Sequence, residues 1–301
     1  VATAAKTAVL GVLAVAVAVI AGFGARPTDS AVAEPVSSGT PTPSAAAPSV
    51  RAAPEPTRTP TDPTTLASKT PFYKTGRVPA VSCRLPKTLV QTRAGMLAYA
   101  RAMVGCMQRA WQPAVRETGF SLYAPNVEAY SLDKPAATPL CRNPPRNTDG
   151  YYVSSNQLIC FEWPSFVDRE DPVWSLIDFQ TMVAHEFGHH LQDSVNILST
   201  YEFAHAGGSA AVQLEDERRL ELQASCLGAA FLGANKQPLK LTGRRLDMWE
   251  YQVAHTGDEY NPKKIRDHGS RKNHGYWSLR AFESRNPASC NTFVAPAKRV
   301  S

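Results

Sequence analysis

AHEFGHHLQD, residues 184–193, holds His185, Glu186 and His189 in the spacing H-E-x-x-H. On a helix, side chains four residues apart stand one above the other, so the imidazoles of His185 and His189 can converge on a single metal ion. Glu186 is then displaced around the helix, where its carboxylate can reach a metal-held water without ligating the metal itself. Imidazole nitrogen and carboxylate oxygen suit zinc, which in catalytic centres takes three protein ligands and keeps a fourth position open. The spacing alone is weak, because about one chain in a hundred of this composition would carry it by chance. A third ligand is required.

The other histidines and the acids of the following helix supply the candidates, and the best placed is Glu221 in RRLELQASC. It lies 32 residues after His189, enough for a loop containing Gly207 and Gly208 and a return helix against the first. The competing reading pairs Glu221 with Arg218 on a solvated face, an arrangement worth a few tenths of a kcal/mol.

The wider chain sets the context. It has 301 residues, 43% of them hydrophobic, which suffices for a sizeable core. The net charge of +6 is mild for this length and spread along the chain, which argues against a nucleic-acid partner. AVLGVLAVAVAVIAGFGA, residues 8–25, is an uncharged run of 18 residues followed by an Ala31-Val32-Ala33 cleavage pattern. Residues 1–33 therefore read as a signal peptide or a single transmembrane anchor, which places the remainder outside the cytoplasm, secreted or membrane-anchored. Residues 34–70 are rich in Pro, Ser, Thr and Ala and read as a disordered linker. A folded domain is expected over residues 71–301.

All six cysteines lie beyond the apolar run. An even count on an exported chain favours disulfides, and the preferred set is Cys83 with Cys106, Cys141 with Cys160, and Cys226 with Cys290. In the alternative, Cys106 and Cys226 are buried free thiols on helices.

Met96, Leu97, Ala100, Val104, Met107 and Trp111 recur at helical spacing and predict an amphipathic helix ending near Pro113. NVEAYSL near Asn126 reads as a strand, and YYV and LICF flank a four-residue turn as a hairpin. Helices are expected from about Phe179 to Leu198 with Asp178 as cap, over residues 211–233, after Pro238, and over residues 276–284. The class is α+β, a small antiparallel sheet plus a helical bundle with the H-E-x-x-H helix at its centre.

HEFGHH, RLELQASC and DHGSRKNHGYWSLRAFESRNPASCNTF, in this order, resemble the bacterial putative neutral zinc metallopeptidase family. Its usual pattern is H-E-x-G-H-H, E-L-Q-A-D-C, H-G-[ST] and F-E-x-x-x-P-x-x-C-x-T-F, and the likeness covers residues 178–293. The resemblance implies a zincin-like fold, a zinc ion held by His185, His189 and Glu221, and Glu186 as catalytic base. It also puts Cys226 and Cys290 at the family's two cysteine positions. Three departures stand out. Ser225 occupies the place of an Asp that would orient a ligand imidazole. RKNH follows His268-Gly269-Ser270 where an acid and Arg are usual. Cys160 lies away from the family's early second cysteine, which leaves the partner of Cys141 open.

These readings predict an exported zinc endopeptidase that cleaves protein or peptide substrates with a metal-activated water and Glu186 as general base. His268 is the first candidate for a donor to the developing oxyanion, with Tyr260, Tyr276 and His274 behind it and His190 and His205 lower still. The strand from Leu158 to Phe161 is the candidate edge for holding an extended substrate, with an internal strand already paired on both sides as the alternative. Lys263, Lys264, Arg266, Arg271 and Lys272 form a basic cluster, read as a solvated face with cell-wall polymer contact as the alternative. The runner-up function is a tethered binding or scaffolding module that keeps the metallopeptidase fold without turnover, motivated by Ser225.

Overall fold

The computed structural model describes residues 63–301, apart from 88–89, 134–139, 142–143, 145–147, 168–169, 206–207 and 261–265. The expected signal or anchor at 1–33 and the linker up to residue 62 lie outside the described residues. Among the described residues, no helix is long and apolar enough to cross a membrane. Helix α1, Pro63–Lys69, occupies the end of the expected linker and buries Ala67, whose carbonyl accepts from the Tyr73 hydroxyl at 3.0 Å.

Helix α2, Arg93–Glu117, is capped by the Thr92 hydroxyl, which accepts from the Gly95 amide. It runs through Pro113 instead of ending there, since Trp111 and Val115 on either side are both fully buried. Three short strands follow: β1 Asn126–Tyr130, β2 Gly150–Val153 and β3 Leu158–Glu162. The β2–β3 hairpin forms as expected, its turn closed by Gln157 at φ 49°. The sheet is mixed, correcting the antiparallel reading. Its order is β1-β3-β2, with β1 parallel to β3 and β2 antiparallel to it. The long connection after β1 carries the chain past the position of β3 before the hairpin returns it to the middle.

Helix α3, Pro164–Val167, leads into α4, Pro172–Ser194. Asp171, not Asp178, caps α4, accepting from the amides of Val173 and Trp174, and Pro172 opens the first turn. Asp178 lies inside the helix, buried, and accepts from Gln252. Apart from half-buried Thr181, every residue from Ser175 to Gln192 is buried, so α4 is wrapped on all sides. It ends before Asn196 at φ 61°, and α5, Ile197–His205, continues in a new direction.

Helices α6 (Ala210–Ala234), α7 (Arg244–Ala254) and α8 (Arg271–Ser284) complete the bundle. The crossing of α4 and α6 is set by two glycines. A Cβ on Gly188 would collide with the backbone of Ala224, and one on Gly228 would lie 2.7 Å from the Ala184 carbonyl. Small residues let the two backbones touch beside His189 and one turn from Glu221, and this contact brings the two sequence motifs together.

All three preferred disulfides form. Cys83–Cys106 ties the lead-in segment to α2, Cys141–Cys160 ties the β1–β2 connection to β3, and Cys226–Cys290 joins α6 to the turn after α8. Bonds of this kind persist in oxidising compartments.

Candidate metal centre

His185 and His189 lie in the second half of α4, and Glu221 lies in the middle of α6. His189 Nε2 is 3.0 Å from His185 Nε2, and Glu221 Oε2 lies 3.2 and 3.3 Å from those two nitrogens. A tetrahedral ion with bonds of about 2.0–2.1 Å separates its ligand atoms by roughly 3.3–3.4 Å. The three atoms thus stand close to the corners of one face of such a tetrahedron. Glu221 does not pair with Arg218, whose guanidinium donates to the Arg266 carbonyl.

The far side of each ring shows which nitrogens face inward. His189 Nδ1 donates to Gln192 Oε1 at 2.9 Å, because the Gln192 amide nitrogen is spent on the Leu220 carbonyl and Gln223 Oε1. His185 Nδ1 is hydrogen-bonded to Ser225 Oγ at 2.9 Å. Two imidazole nitrogens and a carboxylate oxygen are thus turned towards one point, a donor set suited to a cation. The residues fit zinc.

The electrostatics of the centre agree. Burial pushes His185 down to about 4, with charge on His189 adding to the effect. Burial also works against a charge on His189, but Glu221 and Glu186 hold its pKa above the ordinary histidine value. Burial alone would raise the Glu221 carboxyl; the surrounding His189, His268 and His185 hold it well below the usual carboxylate range.

Glu186 is fully buried, and neither carboxylate oxygen has a hydrogen-bond partner. Burial raises its pKa to about 8, with opposing effects from the charges of His189 and His268. An unpaired carboxylate in a dry interior costs several kcal/mol, about the scale of a broken buried pair.

The structure also brings His268 to the centre. Its Nε2 is 3.5 Å from Glu221 Oε2 and has no hydrogen-bond partner, while Nδ1 donates to Asp267 Oδ1 at 2.6 Å. Asp258, buried, accepts the His268 backbone N–H at 3.0 Å. Burial works against a charge on this ring, but Glu221, Asp267 and Asp258 raise it to about 9. The donors lying within 4.8 Å of one another are His185, His189 and Glu221; His268 falls outside that set and groups with Asp258 and Asp267.

The remaining candidates lie elsewhere. His190 is turned from the ligand face, donating from Nε2 to the Tyr123 carbonyl with Nδ1 beside the Tyr152 hydroxyl. The Tyr260 hydroxyl accepts from Arg271, and Tyr276 lies under the Arg299 guanidinium. His274 donates to the Val253 carbonyl and lines the cavity beside the centre. The side chain of His205 and residues Lys263 and Lys264 lie outside the described residues. Strand β3 is paired on both edges and offers none to a substrate, correcting the strand expectation.

Sequence reading missed Gln192, Gln223 and Asp258. The two glutamines form a buried amide chain from His189 to the Tyr73 hydroxyl and the Cys290 carbonyl. The available signal was polarity at positions inside otherwise apolar helix faces.

A family model described as putative neutral zinc metallopeptidase matches residues 91–293. Two curated relatives, both "Uncharacterized protein YpfJ", come from Escherichia coli strain K12 and from E. coli O6:H1 strain CFT073. Each is 24% identical over 153 residues, 48% of this chain and 53% of the relative. The chain thus spans about half the length of these relatives. No solved structure matches it.

Proposed function

The chain belongs to the putative neutral zinc metallopeptidase family, and from that premise we propose that it is an exported zinc endopeptidase with a zincin-like active site. The observation that carries this reading is the unpartnered, fully buried Glu186 carboxylate next to three converging zinc-type donors. The runner-up, a non-catalytic module, leaves that carboxylate without a role.

His185, His189 and Glu221 would hold the ion. Bound there, zinc would supply Lewis acidity and make a water more acidic. Glu186 accepts the proton of the attacking water and delivers it to the leaving amine as the peptide C–N bond breaks. His268, whose Nε2 has no hydrogen-bond partner beside the centre, would direct Nε2–H towards the charge that develops on the carbonyl oxygen. Asp267 and Asp258 fix its ring and backbone, and Ser225 and Gln192 orient the two ligand imidazoles.

The disulfides support a working place outside the cytoplasm, with residues 1–33 as signal or anchor and the linker as tether. Protein or peptide is the substrate class, and contact with cell-wall polymer is a secondary possibility for the basic face.

The test is hydrolysis of a denatured protein by the zinc-loaded chain and by Glu186→Gln. Cleavage by the first, reduced about 100-fold or more in the second at equal zinc content, is expected. Stoichiometric zinc with no cleavage by the unmodified chain overturns the enzyme reading.

A further inference from the structure

A run of buried hydrogen bonds leads from the metal donor His189 to the first turns of the domain. His189 Nδ1 meets Gln192 Oε1 at 2.9 Å, and Gln192 Nε2 donates to Gln223 Oε1 at 3.1 Å. Gln223 Nε2 donates to the Tyr73 hydroxyl at 2.7 Å, and that hydroxyl donates to the Ala67 carbonyl at 3.0 Å. Tyr73 stands in a short 3-10 turn, Pro71–Lys74, just after α1, and lies 150 residues from Gln223 in sequence. His189, Gln192, Gln223 and Tyr73 are all buried, so solvent offers little to replace a missing partner.

Backbone carbonyls fix the direction of each link, because a carbonyl can only accept. The Leu220 carbonyl, 2.8 Å from Gln192 Nε2, and the Cys290 carbonyl, 3.0 Å from Gln223 Nε2, settle which end of each amide carries the protons. The Ala67 carbonyl takes the Tyr73 proton and leaves the hydroxyl oxygen to accept from Gln223. Each amide therefore presents its oxygen on the side of His189. Gln192 Oε1 needs a proton on His189 Nδ1, and in a neutral ring that leaves the Nε2 lone pair facing Glu221 and His185.

We propose that Tyr73 is a positioning residue of the metal centre, acting through Gln223 and Gln192 to hold His189 in the tautomer that presents Nε2 to the ion. The inference rests on the zinc reading of the site and is independent of turnover. Hydrogen bonds aligned in one direction polarise one another in a dry interior, so the Tyr73 hydroxyl strengthens a bond at His189 that it does not touch. Without that hydroxyl, Gln223 keeps only the Cys290 carbonyl to fix its amide. An amide turned over at Gln192 would offer N–H to His189 Nδ1 and favour the tautomer whose Nε2 carries a proton and cannot ligate. The turn that opens the folded domain thus completes a centre whose three donors all lie on α4 and α6.

A double-mutant cycle on zinc affinity tests this. The full chain, Tyr73→Phe, Gln192→Leu and the double variant are titrated with zinc against a competing chelator, with folding checked by circular dichroism. Tyr73→Phe removes only the hydroxyl. Zinc is expected to bind about 3- to 10-fold more weakly in Tyr73→Phe and about 10- to 100-fold more weakly in Gln192→Leu. The double variant should bind no more weakly than Gln192→Leu, because the path from Tyr73 runs through Gln192, whereas a merely structural loss would add in full. Unchanged affinity in Tyr73→Phe, or full additivity in the double variant, overturns the proposal. If Gln192→Leu does not fold, solvent exchange of the His189 Nδ1 proton in the zinc-loaded chain decides instead: faster exchange in Tyr73→Phe is expected, and an unchanged rate overturns it. Coupled losses in a chain that cleaves no peptide would keep the inference and remove the peptidase reading. Cleavage by a zinc-loaded chain with additive losses would do the reverse, and an unmodified chain that binds no zinc would remove both.

Discussion

His185 Nδ1 lies 2.9 Å from Ser225 Oγ, a hydrogen bond that crosses from α4 to α6. It sets which ring nitrogen of His185 faces the centre, the task the family's usual Asp would perform with a full negative charge. Ser225→Ala should therefore weaken zinc binding about 10- to 100-fold, and Ser225→Asp should strengthen it. Competition against a chelator of known affinity measures both. Unchanged affinity in Ser225→Ala would show that the bond orients nothing.

Gly188 and Gly228 make a structural prediction. A methyl group at either position meets backbone of the partner helix, and backbone cannot rotate away. Gly188→Ala should cost about 1–3 kcal/mol of stability and lower zinc affinity at the same time, because Glu221 moves with α6. Denaturant unfolding and zinc titration read the two effects. A stable variant with normal zinc binding would mean that the helices do not need this contact.

His190 carries the pH prediction. Burial lowers its pKa to about 4, partly offset by its bond to the Tyr123 carbonyl. The folded protein holds it neutral while the unfolded chain protonates it near the ordinary histidine value, so unfolding takes up a proton in that window. Its contribution to stability is complete above about pH 6.5 and is lost as pH falls towards 4. In zinc-free protein, stability should rise with pH across this window more steeply than in His190→Gln, by about 1.4 kcal/mol per pH unit. Matching slopes would contradict a buried neutral His190. The comparison cancels groups of opposite sign such as Glu217, raised by burial to about 7.

The Cys226–Cys290 bond fixes α6 to the turn after α8, a closure spanning 64 residues. Replacing both cysteines by Ala should cost about 2–5 kcal/mol. Thermal unfolding of the double variant measures it, and an unaltered midpoint would mean the bond is dispensable.

Much of the site was legible because its chemistry is local. H-E-x-x-H puts His185 and His189 on one helix face by periodicity alone, with Glu186 displaced around the helix, and Glu221 followed as the third candidate ligand from the need for one on a return helix. The preferred disulfide set is the one that forms, although six cysteines permit 15 pairings and the family pattern left the partner of Cys141 open. The start of α4 was misread because two acids offered caps, and Pro172 after Asp171 outweighs Asp178, which the helix buries against Gln252. Parallel pairing of β1 with β3 depends on where the long connection travels, which alternation of side chains does not encode. Asp258 reaches His268 through a loop closure between residues ten apart, and Gln192 and Gln223 look like ordinary helix polarity until the helices are packed.

X-ray absorption at the zinc edge, on the full chain loaded with zinc, tests the centre most directly. The account predicts one zinc per chain with two imidazole nitrogens and otherwise oxygen neighbours, no sulfur, and loss of tight binding in Glu221→Ala. Sulfur in the shell, a third imidazole from His268, or unchanged affinity in Glu221→Ala would contradict it.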